Sequence, residues 1–249
     1  MSRNQVFIIV GVSLFALCAA SALVAGIFFL VLRSAEQTEP VAQPIAQVVS
    51  IAPHPRPEAN GNSMGDPNAP IKIEVFSDFQ CPYCQSFHEE TEPLLVEQYI
   101  STGKVHFTYR SMGNFVSENI DGENTESQDA AMAAYCAMDQ DQFWAVHDML
   151  FANVLGENAR SFTDERNKAI ANAIGLDMDQ FNECYDSQKY AATVEKDRED
   201  AQTANVMGVP SFLLTYTVNA ETKTSLIEGA QPFSQFQEEL EAVLSEIGT

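Results

Sequence analysis

The stretch IKIEVFSDFQCPYC, residues 71–84, decides both the fold and the chemistry of this 249-residue chain. Apolar and charged residues alternate over its first five positions, which predicts a half-buried β-strand. Pro82 is typical of the first turn of a helix, so we expect the strand to lead directly into one. Cys81 and Cys84 then share one face of the helix start, where unpaired backbone N–H groups favour a thiolate at the first sulfur. The stretch therefore indicates a dithiol redox centre.

A Cys-x-x-Cys pair can also hold zinc or form an inert structural disulfide. A structural zinc site needs two further ligands, commonly a second close pair. Cys136 and Cys184 stand alone, and the histidines are scattered along the sequence as His54, His88, His106 and His147. A disulfide within the motif would close too short a loop to stabilise the fold much. We therefore expect neither a metal nor another cofactor.

The first 33 residues have the composition of a membrane anchor. Residues 6–32 form an uncharged apolar run of 27 residues, long enough to span a bilayer and longer than the core of a secretory signal. We predict a transmembrane signal anchor after a cytoplasmic stub at residues 1–5. A cleavable signal peptide is the alternative, because small residues lie inside the run. The charges flanking the run favour a single-pass protein of the cell membrane, with its domain on the extracytoplasmic side.

Residues 34–249 are strongly acidic, with 35 acidic residues against 11 basic ones. Nucleic acid and anionic membrane surfaces would be repelled, so neither is expected as a partner. Residues 33–62 are rich in proline and lack hydrophobic periodicity, which predicts a tether between membrane and domain. Residues 48–51 could add a strand to the domain. The remainder, 63–249, has a normal length for a single domain.

The order of the predicted elements is that of an α/β protein. The strand and helix around the two cysteines are followed by a second strand at 105–110. A block of helical patterns then occupies about residues 115–205. A β-hairpin at 211–217 and 224–228 and an amphipathic helix at 232–247 close the chain. The sequence thus predicts an α/β domain with a helical insertion.

Several motifs occur together in the order found in one family. They are GDPNAP (65–70), FSDFQCPYC (76–84), the aromatic residues around His147 (143–151) and GVPSF (208–212). Over about residues 63–248 the chain resembles the DsbA-like thiol:disulfide oxidoreductases of the thioredoxin-fold superfamily. The resemblance implies a thioredoxin-like fold with a helical insertion, and a quinone-linked membrane oxidase as the redox partner.

The resemblance also implies a role for each residue of the centre. Cys81 would be the attacking cysteine that forms mixed disulfides, and Cys84 the more buried resolving thiol. Pro210 would be cis and lie against the active-site disulfide. Together with Val209 it would line a groove in which an extended substrate segment pairs with the backbone.

Two positions depart from the family pattern. Thioredoxin-fold enzymes often carry a buried acid six residues before the first cysteine, where this chain has Val75. Asp78 and Glu74 are the candidates for proton transfer, although we expect each to be a solvated carboxylate. Pro82 and Tyr83 would tune the centre. Tyr83 replaces the histidine of the most oxidising members and brings no positive charge, so we expect a less oxidising centre.

Cys136 and Cys184 lie in helical patterns of the insertion. In an oxidising compartment two leftover cysteines most simply pair, and a disulfide across so long a loop would contribute ~4 kcal/mol. Two buried free thiols are the alternative. Aromatic residues at helical spacing are expected to pack in the core beside Cys136, namely Phe143, Trp144, His147 and Phe151.

The preferred function is a membrane-tethered thiol:disulfide oxidoreductase that introduces disulfides into reduced or unfolded proteins. One alternative is a reductase or isomerase supplied with electrons across the membrane. Another is a redox-inert thioredoxin-fold module that holds extended peptides. The redox state of Cys81 and Cys84 in cells separates the first two, and covalent trapping of substrates separates the third.

Overall fold

The computed structural model describes residues 47–120 and 122–248. The predicted cytoplasmic stub, the predicted transmembrane span at 6–32 and the first part of the predicted tether lie outside these residues. Within the described ranges, no helix combines the length and the hydrophobicity that a membrane span requires.

The described strands form one five-stranded mixed sheet. They are β1 (Ser63–Met64), β2 (Ile71–Ser77), β3 (Val105–Ser111), β4 (Ser211–Val218) and β5 (Glu221–Glu228). Their order across the sheet is β1-β3-β2-β4-β5. The central strand β2 pairs in parallel with β3 and antiparallel with β4. The strands expected around residues 71–79 and 105–110 and the hairpin are present, and the two-residue edge strand β1 is an addition to them.

The first helix, α1, follows β2 and consists of successive α- and π-helical segments. These are Pro82–Ser86, Phe87–Thr91, Glu92–Leu95 and Val96–Ile100. Pro93 lies in the middle of α1 and has no N–H, which interrupts the regular hydrogen bonding near it. The later helices are α2 (Phe115–Ile120), α3 (Glu126–Met138), α4 (Phe143–Ala152), α5 (Asp164–Ile174), α6 (Met178–Asp186), α7 (Ala191–Thr203) and α8 (Phe233–Ile247). Helices α2 to α7 form the expected insertion between β3 and β4.

The sheet has a separate apolar cluster on each face. Phe76 of β2 packs with Ala201 of α7 on one side, whereas the odd-numbered residues of β2 face the larger core. In that larger core the ring of Phe87 from α1 lies 4.5 Å from Phe212 of β4 and 5.7 Å from Phe236 of α8. Burying each such ring contributes ~2–3 kcal/mol. These contacts hold α1 on the sheet, with its first residues just beyond the end of β2.

The insertion is cross-linked and well packed. Cys136 of α3 and Cys184 of α6 are joined by a disulfide across a sequence separation of 48 residues. The aromatic side chains of α4 that were expected in the core are buried, namely Phe143, Trp144, His147 and Phe151.

The described part of the predicted tether, residues 47–62, lies against the domain, and we call it the N-terminal segment. The expectation of a strand at 48–51 is wrong, because these residues have no strand partner in the described structure. Instead the backbone N–H and C=O of Val49 pair with the side-chain amide of Asn153, at 2.7 and 2.8 Å. Further along, Arg56 is buried between Glu92 of α1 and Asp148 of α4.

Candidate active site

The two cysteines of the motif lie where β2 passes into α1. Cys81 is the N-cap residue of α1, with an extended backbone, and Pro82 is the first helical residue. The Cys81 N–H donates to the Asp78 carbonyl at 3.1 Å, and the Cys81 carbonyl accepts from the Gln85 N–H at 3.0 Å. Tyr83 points into solvent and is 66% exposed. This junction therefore presents the first cysteine at the start of a helix.

The environment of Cys81 favours its thiolate. The Cys84 side chain hydrogen-bonds to Cys81, and the backbone N–H groups of Cys84 and Tyr83 also point at its sulfur. Together they lower the pKa of the Cys81 thiol, although burial acts in the opposite direction. Cys81 is one of two free cysteines in the described residues, the other being Cys84. A thiolate at this position is the nucleophilic form needed for disulfide exchange.

Cys84 has the opposite character. It is only 1% exposed, and burial raises the pKa of its thiol well above the usual value, assisted by the hydrogen bond and charge of Cys81. The Ser77 hydroxyl and the Asp78 N–H hydrogen-bond to Cys84 and partly oppose this rise. The site therefore favours ionisation of the Cys81 thiol and disfavours ionisation of the Cys84 thiol.

The loop before β4 lies directly against Cys81. The Val209–Pro210 peptide bond is cis, and the Val209 carbonyl lies 3.6 Å from the Cys81 sulfur. Hydrogen bonds hold this loop on both sides. The Ser211 hydroxyl donates to the Gly208 carbonyl at 2.7 Å, and the Pro210 carbonyl accepts from the Gly229 N–H at 2.8 Å. The structure thus brings Val209 and Pro210 to the dithiol, although more than 120 residues separate them in sequence.

Neither acid considered for proton transfer is a free, solvated carboxylate. Glu74 is half-buried and pairs with Arg110, on the opposite face of β2 from Val75. Asp78 is 2% exposed, and its carboxylate accepts hydrogen bonds from the N–H groups of Gln80 and Val116, both at 2.9 Å. Burial raises the pKa of Asp78 to about 6 in spite of these donors. The expectation of two solvated acids is therefore wrong.

Gln80 connects the active-site turn to the insertion, and the sequence did not single it out. Its side-chain nitrogen donates to the hydroxyls of Ser117 and Ser127, at 2.7 and 2.9 Å. Its side-chain oxygen accepts from the Asn158 N–H at 2.6 Å. Because these partners lie 37 to 78 positions away in sequence, no local pattern could have indicated them.

A second buried polar cluster joins the N-terminal segment to α1 and α4, and we call it the Arg56 cluster. Its members are His54, Arg56, His88, Glu92, His147 and Asp148. Three of the histidines that are scattered in the sequence therefore lie together in the structure. The centre of the His88 ring is 5.1 Å from that of His54 and 5.1 Å from that of His147. Burial lowers the pKa of His88, and lowers that of His147 to about 4.

The Arg56 cluster contains both groups of potential metal ligands found among the described residues. Neither of these groups, found in the part of the chain that the structure describes, includes a cysteine. Arg56 also supplies a positive charge to both carboxylates of the cluster.

Comparisons with known proteins agree with this geometry. The family model described as "Thioredoxin" matches residues 58–238. The chain is 30% identical to a probable disulfide bond formation protein D of Bacillus anthracis, over 60% of this chain and 67% of that protein. Among solved structures, BdbD from Bacillus subtilis in its oxidised form superposes with a TM-score of 0.61 at 20% identity, covering 79% of this chain and 100% of that chain. For alpha-DsbA1 of Wolbachia pipientis the TM-score is 0.63 at 20% identity, covering 77% and 94%. The chain therefore belongs to the thioredoxin family, as a DsbA-like thiol:disulfide oxidoreductase.

Proposed function

We propose that the protein introduces disulfides into reduced or unfolded proteins outside the cytoplasm. A substrate thiolate attacks the Cys81 sulfur of the disulfide form, breaking the Cys81–Cys84 bond, and Cys84 leaves and takes up a proton. A second substrate thiolate then attacks the substrate sulfur of the mixed disulfide and releases Cys81 as a thiolate. One disulfide forms in the substrate, and two electrons pass to the dithiol.

The contrast between the two thiols is the observation that carries this proposal. The lowered pKa of Cys81 makes it the better leaving group in the second step. The raised pKa of Cys84 keeps that residue protonated and unreactive once the substrate has been oxidised. A stabilised dithiol form makes the disulfide form a stronger oxidant, which favours disulfide donation over reduction.

The loop that contains Val209 and Pro210 would position the substrate. A substrate cysteine that attacks Cys81 has to pass beside the Val209 carbonyl, 3.6 Å from the sulfur. An extended segment could pair with the backbone there, as in strand addition. Met207 and Tyr83 are 79% and 66% exposed and offer apolar contacts to unfolded chains.

The same proposal includes a location and a redox partner. The apolar run at 6–32 would anchor the domain to the membrane on its extracytoplasmic side. A quinone-linked membrane oxidase would accept the two electrons and restore the Cys81–Cys84 disulfide. The Cys136–Cys184 disulfide supports an oxidising compartment, because such bonds rarely persist in the cytoplasm.

The redox state of the Cys81–Cys84 pair in intact cells tests the direction of electron flow. Cells are quenched with acid, and free thiols are labelled with a bulky reagent that separates the two forms by size. We expect the pair to be mostly oxidised. A mostly reduced pair would favour the reductase or isomerase that receives electrons across the membrane.

Covalent trapping tests whether the groove performs exchange at all. The Cys84→Ser variant cannot resolve mixed disulfides, so we expect it to accumulate substrate adducts through Cys81 that disappear on reduction. Cys81→Ser is the matched control, since its remaining thiol is buried and should form no adducts. If Cys84→Ser also formed none, the redox-inert peptide-binding module would be favoured.

A further inference from the structure

Asp78 is held against both cysteines, yet none of the exchange steps above uses it. Its carbonyl accepts the Cys81 N–H at 3.1 Å, and its own N–H hydrogen-bonds to the Cys84 sulfur. The backbone of Asp78 is therefore part of the turn that forms the dithiol centre. Its side chain extends from this turn, three residues before Cys81 in the sequence.

The carboxyl group of Asp78 is fixed and shielded from water. The N–H groups of Gln80 and Val116 donate to its two oxygens, both at 2.9 Å, and the Ser127 hydroxyl also contributes a hydrogen bond. The residue is 2% exposed. Because little solvent is present to screen it, a charge on this carboxyl acts more strongly on its neighbours than a surface charge would.

We propose that the charge of Asp78 controls the ionisation of Cys81, so that an ionised Asp78 opposes the Cys81 thiolate and a protonated Asp78 permits it. Two negative charges in a site of low dielectric disfavour each other. In agreement, the Asp78 carboxylate raises the pKa of Cys81 and so opposes the hydrogen-bond donors. The pKa of Asp78 itself is raised to about 6, mainly by burial. By thermodynamic reciprocity, the Cys81 thiolate has to raise the pKa of Asp78 by the same amount.

The other ionisable groups that face Asp78 do not replace it in this role. Glu157, in the loop before α5, repels the Asp78 carboxylate and raises the pKa of Asp78 further. Cys84 and Tyr109 of β3 also lie within range, but burial raises the pKa of both, so they are neutral near pH 7. Asp78 therefore does not react with the substrate itself, and its charge acts only through the ionisation of Cys81.

Titration of the thiolate tests the inference. Thiolate absorbance of the reduced full chain is followed against pH, and in Asp78→Asn we expect the pKa of Cys81 to fall by about one unit, a tenfold gain in thiolate at low pH. Asp129→Asn is the matched control, because the pKa of Asp129 is also raised to about 6 but its charged neighbours are Asp164 and Glu126. A curve for Asp78→Asn that coincides with wild type, or an equal shift in both variants, would overturn the inference.

A second measurement needs no substitution. The infrared carboxyl band of the unmodified chain is titrated in the oxidised and in the reduced form. We expect the Asp78 carboxyl to titrate at a lower pH in the oxidised form than in the reduced form, because the Cys81 thiolate is absent when the pair is oxidised. Identical carboxyl titrations in the two forms would contradict the coupling. The inference rests on the dithiol chemistry of the proposed function and not on its direction, so it can fail while disulfide donation, assayed in parallel, still holds.

Discussion

Opening the Cys136–Cys184 disulfide should lower the free energy of unfolding by about 4 kcal/mol. The bond links α3 to α6 across 48 residues, and the chain-entropy model gives ~4 kcal/mol for a loop of this length. Both cysteines are buried, at 1% and 5% exposure. Alanine is smaller than cysteine and apolar, so the double substitution Cys136→Ala/Cys184→Ala introduces no buried polar group. The loss should therefore reflect mainly the freedom that the unfolded chain gains.

Urea unfolding followed by tryptophan fluorescence measures this loss. Trp144 is the only tryptophan in the sequence, and it is buried in α4 within the cross-linked insertion. Wild type and the double variant are compared with the Cys81–Cys84 pair oxidised in both. For a urea m-value of about 2 kcal/mol/M, the unfolding midpoint should fall by about 2 M.

A second comparison separates the disulfide from the substitutions. In a Cys81→Ala/Cys84→Ala background the active-site dithiol is absent, so a reducing agent acts within the domain on the Cys136–Cys184 bond. Its addition should reproduce the loss of about 4 kcal/mol without changing either insertion cysteine. A loss below about 1 kcal/mol in both comparisons would refute the reasoning, because the open loop would then add almost nothing to the freedom of the unfolded chain.

Two further predictions concern charge. Tyr83→His should shift the thiol-disulfide equilibrium with glutathione at least tenfold towards the reduced enzyme, because a protonated imidazole favours the Cys81 thiolate. This shift corresponds to a rise of about 30 mV in the reduction potential. Tyr83→Phe is the control and should leave the equilibrium unchanged. Arg56→Leu should lower the free energy of unfolding by ~3 kcal/mol at about pH 8, because it leaves two buried carboxylates without their cation. Burial and, to a smaller extent, the charge of Arg56 lower the pKa of His88 and His147. Removing Arg56 should raise the pKa of both histidines, so urea unfolding should show a smaller loss near about pH 5. A loss that grows on acidification would contradict this account.

The elements around the cysteines could be predicted because their signals are local. Alternation in β2 and the proline after Cys81 define the strand, the helix start and the junction between them within fourteen residues of sequence. The same is true of the hairpin β4–β5 and of the helices α3 to α8, each of which has its own apolar periodicity. β1 and α2 are too short to show a period, and packing against the rest of the domain decides them.

The Arg56 cluster shows why convergence of polar residues could not be predicted. Its members come from the N-terminal segment, α1 and α4, and Arg56 lies 92 positions before its partner Asp148. Taken singly, Arg, Asp and Glu are usually found at the surface, and His is intermediate in burial. The one local relation that brings two members from different turns together is the spacing of His88 and Glu92, which lie one helical turn apart on the same face of α1.

The burial of Asp78 beside the two cysteines could not be predicted from the sequence either. Alternation in β2 directs Val75 into the core, where it is 3% exposed, and so excludes a carboxylate at the position where thioredoxin-fold enzymes often carry one. Asp78 lies beyond Ser77, the last residue of β2, where alternation no longer determines the direction of a side chain. That direction is set by two donors, the nearby Gln80 N–H and the Val116 N–H of α2, which lies 38 residues later. The insertion thus supplies a donor that fixes the Asp78 carboxyl, and through that carboxyl we expect it to act on the ionisation of Cys81.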